Sequence, residues 1–112
     1  FVTVVFNERI RNGMPPIHPG AVLKELFLDP MGLSVNKLSM CMHVTATRMN
    51  EIVNGKRGIT ADTAMRLSKA LGTSPEVWLN MQQTYEVRLI ETSDHRDIDS
   101  IKPLDMEKFS AA

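Results

Sequence analysis

The chain has 112 residues, a length that suits one domain with a single hydrophobic core and leaves no room for a second domain of ordinary size. Its formal net charge is zero, so it lacks the overall basic excess typical of nucleic-acid-binding proteins. No run approaches the roughly 20 apolar residues of a membrane span, and the single cysteine, Cys41, excludes an intramolecular disulfide and suits a reducing cytoplasm.

The charge is distributed unevenly along the chain. Residues 33–70 carry six basic and two acidic side chains, a local excess of +4, whereas residues 86–112 carry seven acidic and four basic ones, a local excess of −3. This asymmetry predicts a basic face on the central helices and an acidic tail suited to a basic partner.

Residues 1–17 form the first segment of the chain. They combine an alternating apolar run with Asn12-Gly13 and two consecutive prolines, which predicts an extended or disordered leader arm. Two interpretations stay open. The segment is either outside the fold, with Met14 as the natural start, or an edge strand or arm that contacts a partner.

Five predicted helices follow within residues 18–92, which indicates an all-α domain. Each helix begins with a residue whose side chain can accept from first-turn N–H groups, or with a proline, which has no N–H group. Most of the helices end at a glycine or before a proline. The predicted helices are Pro19–Leu28, Ser34–Met42, Thr45–Asn54, Thr60–Gly72 and Ser74–Glu91.

The last segment, residues 93–112, is rich in serine, aspartate and lysine and has few apolar anchors. This composition predicts a flexible acidic tail. Four apolar residues in it remain available to dock on a partner, namely Ile98, Ile101, Leu104 and Phe109.

The second and third predicted helices are separated by a turn of about three residues, which predicts a helix-turn-helix. Apolar residues at spacings of three and four give each helix one inward face. The inward residues are Val35, Leu38, Ser39 and Met42 in the first helix of the pair, Val44 in the turn, and Met49, Ile52 and Val53 in the second.

The opposite face of the second helix is polar and suited to reading bases. Thr and Asn hydrogen-bond base edges, Arg reaches guanine or phosphate, and a small Ala admits a thymine methyl. The helix residues predicted to contact DNA are Thr45, Ala46, Thr47, Arg48, Asn50, Glu51 and Asn54. The flanking residues predicted to complete the DNA site, mainly by holding phosphates, are Ser34, Asn36, Lys37, Lys56 and Arg57. The alternative is that this face is only the solvated surface of a helical bundle.

Two segments carry a resemblance to a known family: HPGAVLKELFLDPMGLS at 18–34 and RMNEIVNGKRGITADTAMRLSKALGTSPEVWLNMQ at 48–82, followed by Tyr85. The chain resembles the HigA (VapI) antitoxin branch of the phage-repressor-like helix-turn-helix family. Family members have isoleucine where Met49 stands and an aromatic residue where Val77 stands. The first helix of the pair has Ser39 in place of the usual alanine.

A further departure from the family is His43, which stands in the place of the turn glycine. Glycine serves there because it adopts positive φ without strain, and histidine tolerates that region at some cost. The fold is therefore expected to be kept, with a strained turn.

The resemblance implies a five-helix lambda-repressor-like domain that represses its own operon. Two copies bind an inverted-repeat operator, with recognition helices roughly 34 Å apart. It also implies a HigB-like, mRNA-cleaving toxin that is neutralised by complex formation. The alternatives are a stand-alone repressor without a toxin, and a protein-interaction module that has lost DNA binding.

The last predicted helix is apolar on two sides. The residues Trp78, Met81, Tyr85 and Leu89 form the side assigned to the core. The residues Leu79, Val87 and Ile90 form the other side, which is the predicted dimer contact unless the helix lies wholly inside one core.

The remaining candidates point to structural roles. The three histidines and Cys41 lack the paired spacing of a zinc site, so no metal is predicted. His18 is predicted to cap the first helix, Cys41 to be a buried or half-buried thiol, and Arg66 and Lys69 to be solvated. The spacing of the residues brings together no nucleophile, base and orienting group. No enzyme activity, cofactor or small-molecule substrate is therefore predicted.

Overall fold

The computed structural model describes residues 15–105 and 107, so residues 1–14 of the predicted leader arm lie outside the described part. The first helix, α1, spans 19–31 in three consecutive parts: α-helical Pro19–Leu23, π-helical Lys24–Leu28 and α-helical Asp29–Met31. The other helices are α2 (Val35–Met42), α3 (Ala46–Val53), α4 (Ala61–Leu71), α5 (Pro75–Glu91) and α6 (Arg96–Asp99). The all-α prediction is confirmed for the described residues.

The predicted count of five helices is corrected to six within that part, because α6 forms a short helix in the predicted tail. Local polar contacts account for it. The carboxylate of Asp94 accepts from the backbone N–H of Arg96 at 3.2 Å and from its guanidinium at 2.8 and 3.0 Å. His95 lies 2.8 Å from Asp99 one turn further on. The scarcity of apolar residues predicts a flexible tail, but apolar content says nothing about local polar contacts of this kind.

The predicted end of α1 at Leu28 is also corrected, because the helix continues through Pro30 to Met31. A proline inside an α-helix collides with the carbonyl four residues back and donates no hydrogen bond. Here a π-helical turn precedes it, and the N–H of Asp29 bonds to the carbonyl of Lys24, five residues back. The wider turn loosens the helix where the proline ring needs space, so α1 continues through Pro30 and ends at Met31, with Gly32 as its left-handed cap.

Side-chain caps fix the start of five helices, as the sequence predicts. The first-turn N–H groups donate to the side chains of His18, Ser34, Thr45, Thr60 and Ser74. The ends of α2 and α4 are equally well defined, since His43 has φ 58° and Gly72 has φ 72°. His43 therefore adopts the left-handed conformation that its place in the sequence predicts.

The core gathers the apolar faces of α1 to α5 around Trp78, which is completely buried. The indole N–H of Trp78 donates to the hydroxyl of Thr73 at 2.7 Å, so this large side chain is buried without an unsatisfied polar group. Gln82 accepts from the N–H of Ile59 at 2.9 Å and ties the α3–α4 loop to α5. The same core holds Met49 and Ile52 of α3, so the helix-turn-helix is part of the domain's main hydrophobic cluster.

Two further predictions are corrected by the structure. Cys41 is exposed, because Leu38, Ser39 and Met42 complete the inward face of α2 and leave residue 41 on its flank. Arg66 is bonded to the protein rather than solvated, as described below. Among the described helices, none is both long and apolar enough to pass through a membrane.

Candidate nucleic-acid interface

The orientation of α3 follows from its buried side. Met49 and Ile52 are both completely buried against the core. At about 100° per residue, the opposite side of the helix must face solvent. The turn before α3 is fixed by a backbone hydrogen bond of 3.1 Å from the N–H of Val44 to the carbonyl of Ser39. The structure therefore presents one side of α3 outward on a rigid support.

Three exposed polar residues, Thr47, Asn50 and Asn54, lie along this outward side. The amide of Asn50 donates to the carbonyl of Ala46 at 3.0 Å, which holds the side chain along the helix. The hydroxyl of Thr45 accepts from the N–H of Arg48 at 3.1 Å and caps the helix, and its own proton remains available to a partner. Such groups are suited to hydrogen-bonding base edges.

The carboxyl end of α3 carries an ion pair between Glu51 and Arg57, with a shortest distance of 3.4 Å. Their side chains are 36% and 48% exposed, so the pair lies at the surface. The carboxylate offsets one positive charge of the basic face and holds the guanidinium beside the helix end. Arg57 is thus a positioned donor with remaining N–H groups, rather than an unrestrained cation.

Two exposed lysines lie in the elements next to α3 along the chain. Lys37 in the first turn of α2 and Lys56 in the loop after α3 are exposed, and neither forms an ion pair with another described residue. Ser34 caps α2 with its hydroxyl, which accepts from the N–H of Lys37 at 3.1 Å, and Asn36 lies exposed beside it. A helix amino terminus flanked by lysine favours an anion such as phosphate.

Arg48, by contrast, is turned toward α4. Its guanidinium donates to the carboxylate of Asp62 at 2.8 Å and to the hydroxyl of Thr63. The side chain is only 25% exposed. The sequence predicts that Arg48 contacts DNA, whereas the structure places its guanidinium in a contact between two helices.

Asp62 and Arg66 complete this contact, and the sequence analysis assigned a role to neither. The carboxylate of Asp62 also accepts from Arg66 at 2.9 Å, and another nitrogen of Arg66 donates to the carbonyl of Met42 at 2.9 Å. Hydrogen bonds from Arg48 and then Arg66 lower the pKa of Asp62, which is therefore ionised at neutral pH. The Asp62–Arg66 spacing of four was a visible signal, but the sequence gives no sign of the Arg48 contact.

The predicted dimer residues are divided by the structure. Leu79 is partly buried and packs against the core of its own chain. Val87 and Ile90 lie near the end of α5 and are 55% and 48% exposed. Leu89 beside them is 43% exposed, so its predicted place on the core side is corrected to the surface. Within the described part of the chain, the last turns of α5 therefore present one exposed apolar surface.

Neither metal nor covalent chemistry is suggested by the polar groups of this region. Among residues 15–105 and 107, no three histidine, cysteine or carboxylate side chains come together as a metal site. What the arrangement offers is a row of hydrogen-bonding groups on α3 with exposed lysines in the neighbouring elements, which suits recognition of a polyanion with base edges.

Comparison with known proteins agrees with this geometry. Residues 25–76 match the family described as Cro/C1-type helix-turn-helix DNA-binding domain. The chain is 49% identical over 94 residues to Virulence-associated protein I of Dichelobacter nodosus, which covers 84% of this chain and 86% of that protein. It is 34% identical over 89 residues to Antitoxin HigA-1 of Vibrio cholerae, with coverage of 80% and 84%. The structure of Pseudomonas aeruginosa antitoxin HigA with the higBA promoter has a TM-score of 0.74 at 37% identity, covering 80% of this chain and 98% of that one.

Proposed function

Because the chain belongs to the family of Virulence-associated protein I and antitoxin HigA, with a Cro/C1-type helix-turn-helix domain, we propose that it is the antitoxin of a toxin–antitoxin pair. It binds the operator of its own operon as a dimer, and it neutralises an mRNA-cleaving toxin of the HigB type by forming a complex with it. The operator-binding surface is the outward side of α3 together with the loop after it.

The observation that carries this proposal is the row of exposed polar side chains on α3. Thr47, Asn50 and Asn54 follow one another along a helix whose other side is buried. We assign base contacts to these three residues and to the Glu51–Arg57 pair, because carboxylate and guanidinium groups read cytosine and guanine edges. The small, partly exposed Ala46 permits close approach to the groove floor.

Phosphate contacts are assigned to the elements next to this row along the chain. Lys37 lies at the amino terminus of α2, which Ser34 caps, and Lys56 lies in the loop after α3. These groups fix the register of the protein on the duplex without reading sequence. With two lysines in each copy, a dimer holds on the order of four phosphates by lysine, so the slope of log affinity against log salt is about −4.

The experiment that tests the proposal is a titration of the full chain against a labelled duplex from the promoter of its own operon. A scrambled duplex of equal length and composition is the control, and each titration is repeated with the purified product of the adjacent small reading frame. We expect preference for the promoter duplex, altered by that product. Preference without any effect of the product contradicts the antitoxin assignment and indicates a stand-alone repressor. Equal binding to both duplexes contradicts operator recognition.

A further inference from the structure

One carboxylate oxygen, Oδ2 of Asp62, joins α4 to both helices of the helix-turn-helix. It accepts from Nη2 of Arg48 at 2.8 Å, and Arg48 lies in the first turn of α3. It also accepts from Nε of Arg66 at 2.9 Å. Arg66 in turn donates from Nη1 to the carbonyl of Met42, the last residue of α2, at 2.9 Å. The oxygen is therefore shared between a guanidinium that belongs to α3 and one that caps α2.

We infer that Asp62 is a positioning residue for sequence-specific DNA binding, acting through Arg48 and Arg66. It holds the start of α3 against α4 and keeps the guanidinium of Arg48 away from the DNA. The inference rests on the proposed function, since it concerns the helix that reads the operator.

The contact is a network of linked hydrogen bonds, so it restrains the start of α3 more strongly than an isolated surface ion pair does. Arg48 also donates to the hydroxyl of Thr63, a residue that is 1% exposed. That hydroxyl lies 3.3 Å from the hydroxyl of Thr60, which caps α4. Exposed pairs contribute little by themselves, whereas charged groups that share hydrogen bonds with a buried hydroxyl restrain one another.

Two opposite effects on DNA binding follow if the carboxylate loses its charge. The recognition helix loses its charged contact with α4 and keeps only the hydrogen bond from Arg48 to Thr63, so contacts with base edges are less well aligned. Both guanidinium groups also lose the carboxylate that neutralises them, so their positive charge attracts any phosphate more strongly. We therefore expect Asp62→Asn to lower affinity for the promoter duplex about tenfold, while affinity for a scrambled duplex stays constant or rises up to about threefold.

The chain offers a matched control in Glu76. Asp62 is the second residue of α4 and Glu76 is the second residue of α5, so both carboxylates lie in a helix first turn. Glu76 is exposed and forms no ion pair with another described residue. Glu76→Gln therefore reproduces the change in net charge and the loss at the helix amino terminus. We expect it to leave the ratio of promoter-duplex affinity to scrambled-duplex affinity unchanged.

Two further variants separate positioning from direct contact. Arg48→Gln is expected to lower promoter affinity without flattening the salt dependence, because Arg48 holds no phosphate in this arrangement. Combined with Asp62→Asn it is expected to cost no more than Asp62→Asn alone, because that change already removes the ion pair between Arg48 and Asp62. Asp62→Glu keeps the charge and is expected to restore most of the promoter preference.

The test is a fluorescence-anisotropy titration of the full-length wild type and these variants. The probes are the promoter duplex and the scrambled duplex, at several salt concentrations and at a temperature where circular dichroism shows every variant folded. A lower affinity ratio in Asp62→Asn, an unchanged ratio in Glu76→Gln and restoration in Asp62→Glu support the inference. If Asp62→Asn does not fold, Arg48→Gln and Asp62→Glu carry the test by salt slope and affinity ratio.

Two results overturn the inference while the proposed function stands. One is a wild type that prefers the promoter duplex and an Asp62→Asn variant that prefers it equally, or loses no more than Glu76→Gln. The other is an Arg48→Gln variant whose salt slope flattens by about one unit, because that identifies Arg48 as a phosphate contact. A wild type without preference refutes the proposed function, and the inference with it.

Discussion

His18 combines three contacts at the start of α1. Its Nδ1 atom accepts from the N–H of Gly20 at 2.9 Å, and its ring packs edge-on against Tyr85 with centroids 4.9 Å apart. Burial lowers the pKa of His18 from its ordinary value of 6.5, and a hydrogen bond with the Arg57 backbone opposes part of that shift. A protonated Nδ1 cannot accept, so the cap requires neutral histidine.

The stability of the domain is therefore expected to depend on pH through His18. The folded state binds this proton more weakly than the unfolded state. The contribution is complete above pH 6.5 and is lost as the pH falls through the lowered folded-state pKa. The slope from this one group is at most about 1.4 kcal/mol per pH unit. Urea unfolding followed by Trp78 fluorescence between pH 8 and 5 measures it.

His18→Asn is the matched variant, because asparagine also caps a helix but does not titrate in this range. We expect its free energy of unfolding to change less with pH than that of the wild type. An identical pH dependence in the two proteins would assign the effect to another group.

Lys56 is an exposed cation at the edge of the proposed DNA surface. We expect Lys56→Ala to weaken binding to promoter and scrambled duplexes by the same factor and to flatten the salt dependence by about one unit for each copy in contact. Anisotropy titrations over a range of salt concentrations measure both. Lys69→Ala removes the same charge from the far half of α4, outside the proposed surface, and is the control. Equal slopes for the two variants would remove Lys56 from the phosphate contacts.

At the level of elements, the crossing of α1 and α3 depends on the absence of a side chain at Gly20. A Cβ atom there would lie 1.8 Å from the carbonyl oxygen of Ile52, which is backbone and cannot rotate away. We expect Gly20→Ala to force the helices apart and to lower the free energy of unfolding by about 3 kcal/mol or more. Urea unfolding measures the loss.

Gly32→Ala provides the comparison for this change. A Cβ at Gly32 meets nothing within 4 Å, but its φ of 60° is unfavourable for alanine. Its expected cost is about 1–2 kcal/mol, from backbone conformation alone. If Gly20→Ala were no more destabilising than Gly32→Ala, close packing of α1 on α3 would not be a principal restraint on the recognition helix.

At the level of the whole molecule, the last turns of α5 expose Val87, Leu89 and Ile90, which lie outside the hydrophobic core formed by residues 15–105. We propose that a second copy covers this surface, since two recognition helices are needed for an inverted repeat. Val87→Asp combined with Ile90→Asp is expected to give a folded monomer with weaker promoter binding. Sedimentation equilibrium measures the mass.

Met40→Asp is the control for that experiment. Met40 is 76% exposed on α2, so the substitution places a carboxylate on a different apolar position of the surface. We expect this variant to have the same mass as the wild type. A dimeric Val87→Asp and Ile90→Asp double variant would place the interface elsewhere.

Much of the fold follows from local sequence features. The caps at Ser34, Thr45, Thr60 and Ser74 and the left-handed turn at His43 were predictable because each depends on residues within one helical turn. The outward position of Thr47, Asn50 and Asn54 follows from the spacing of the buried residues of α3. The exposed part of the candidate site was therefore predictable as well.

The sequence by itself determined the helix starts, the face that each helix of the pair buries and the family, because caps, spacing and characteristic segments are local properties. Only the tertiary structure decided the direction of Arg48 and Arg66. Their partners lie 14 and 24 residues away along the chain, and long flexible side chains adopt whichever contact the packing of α2, α3 and α4 brings within reach. The continuation of α1 through Pro30 likewise depends on a π-helical turn, which the spacing of apolar residues does not predict.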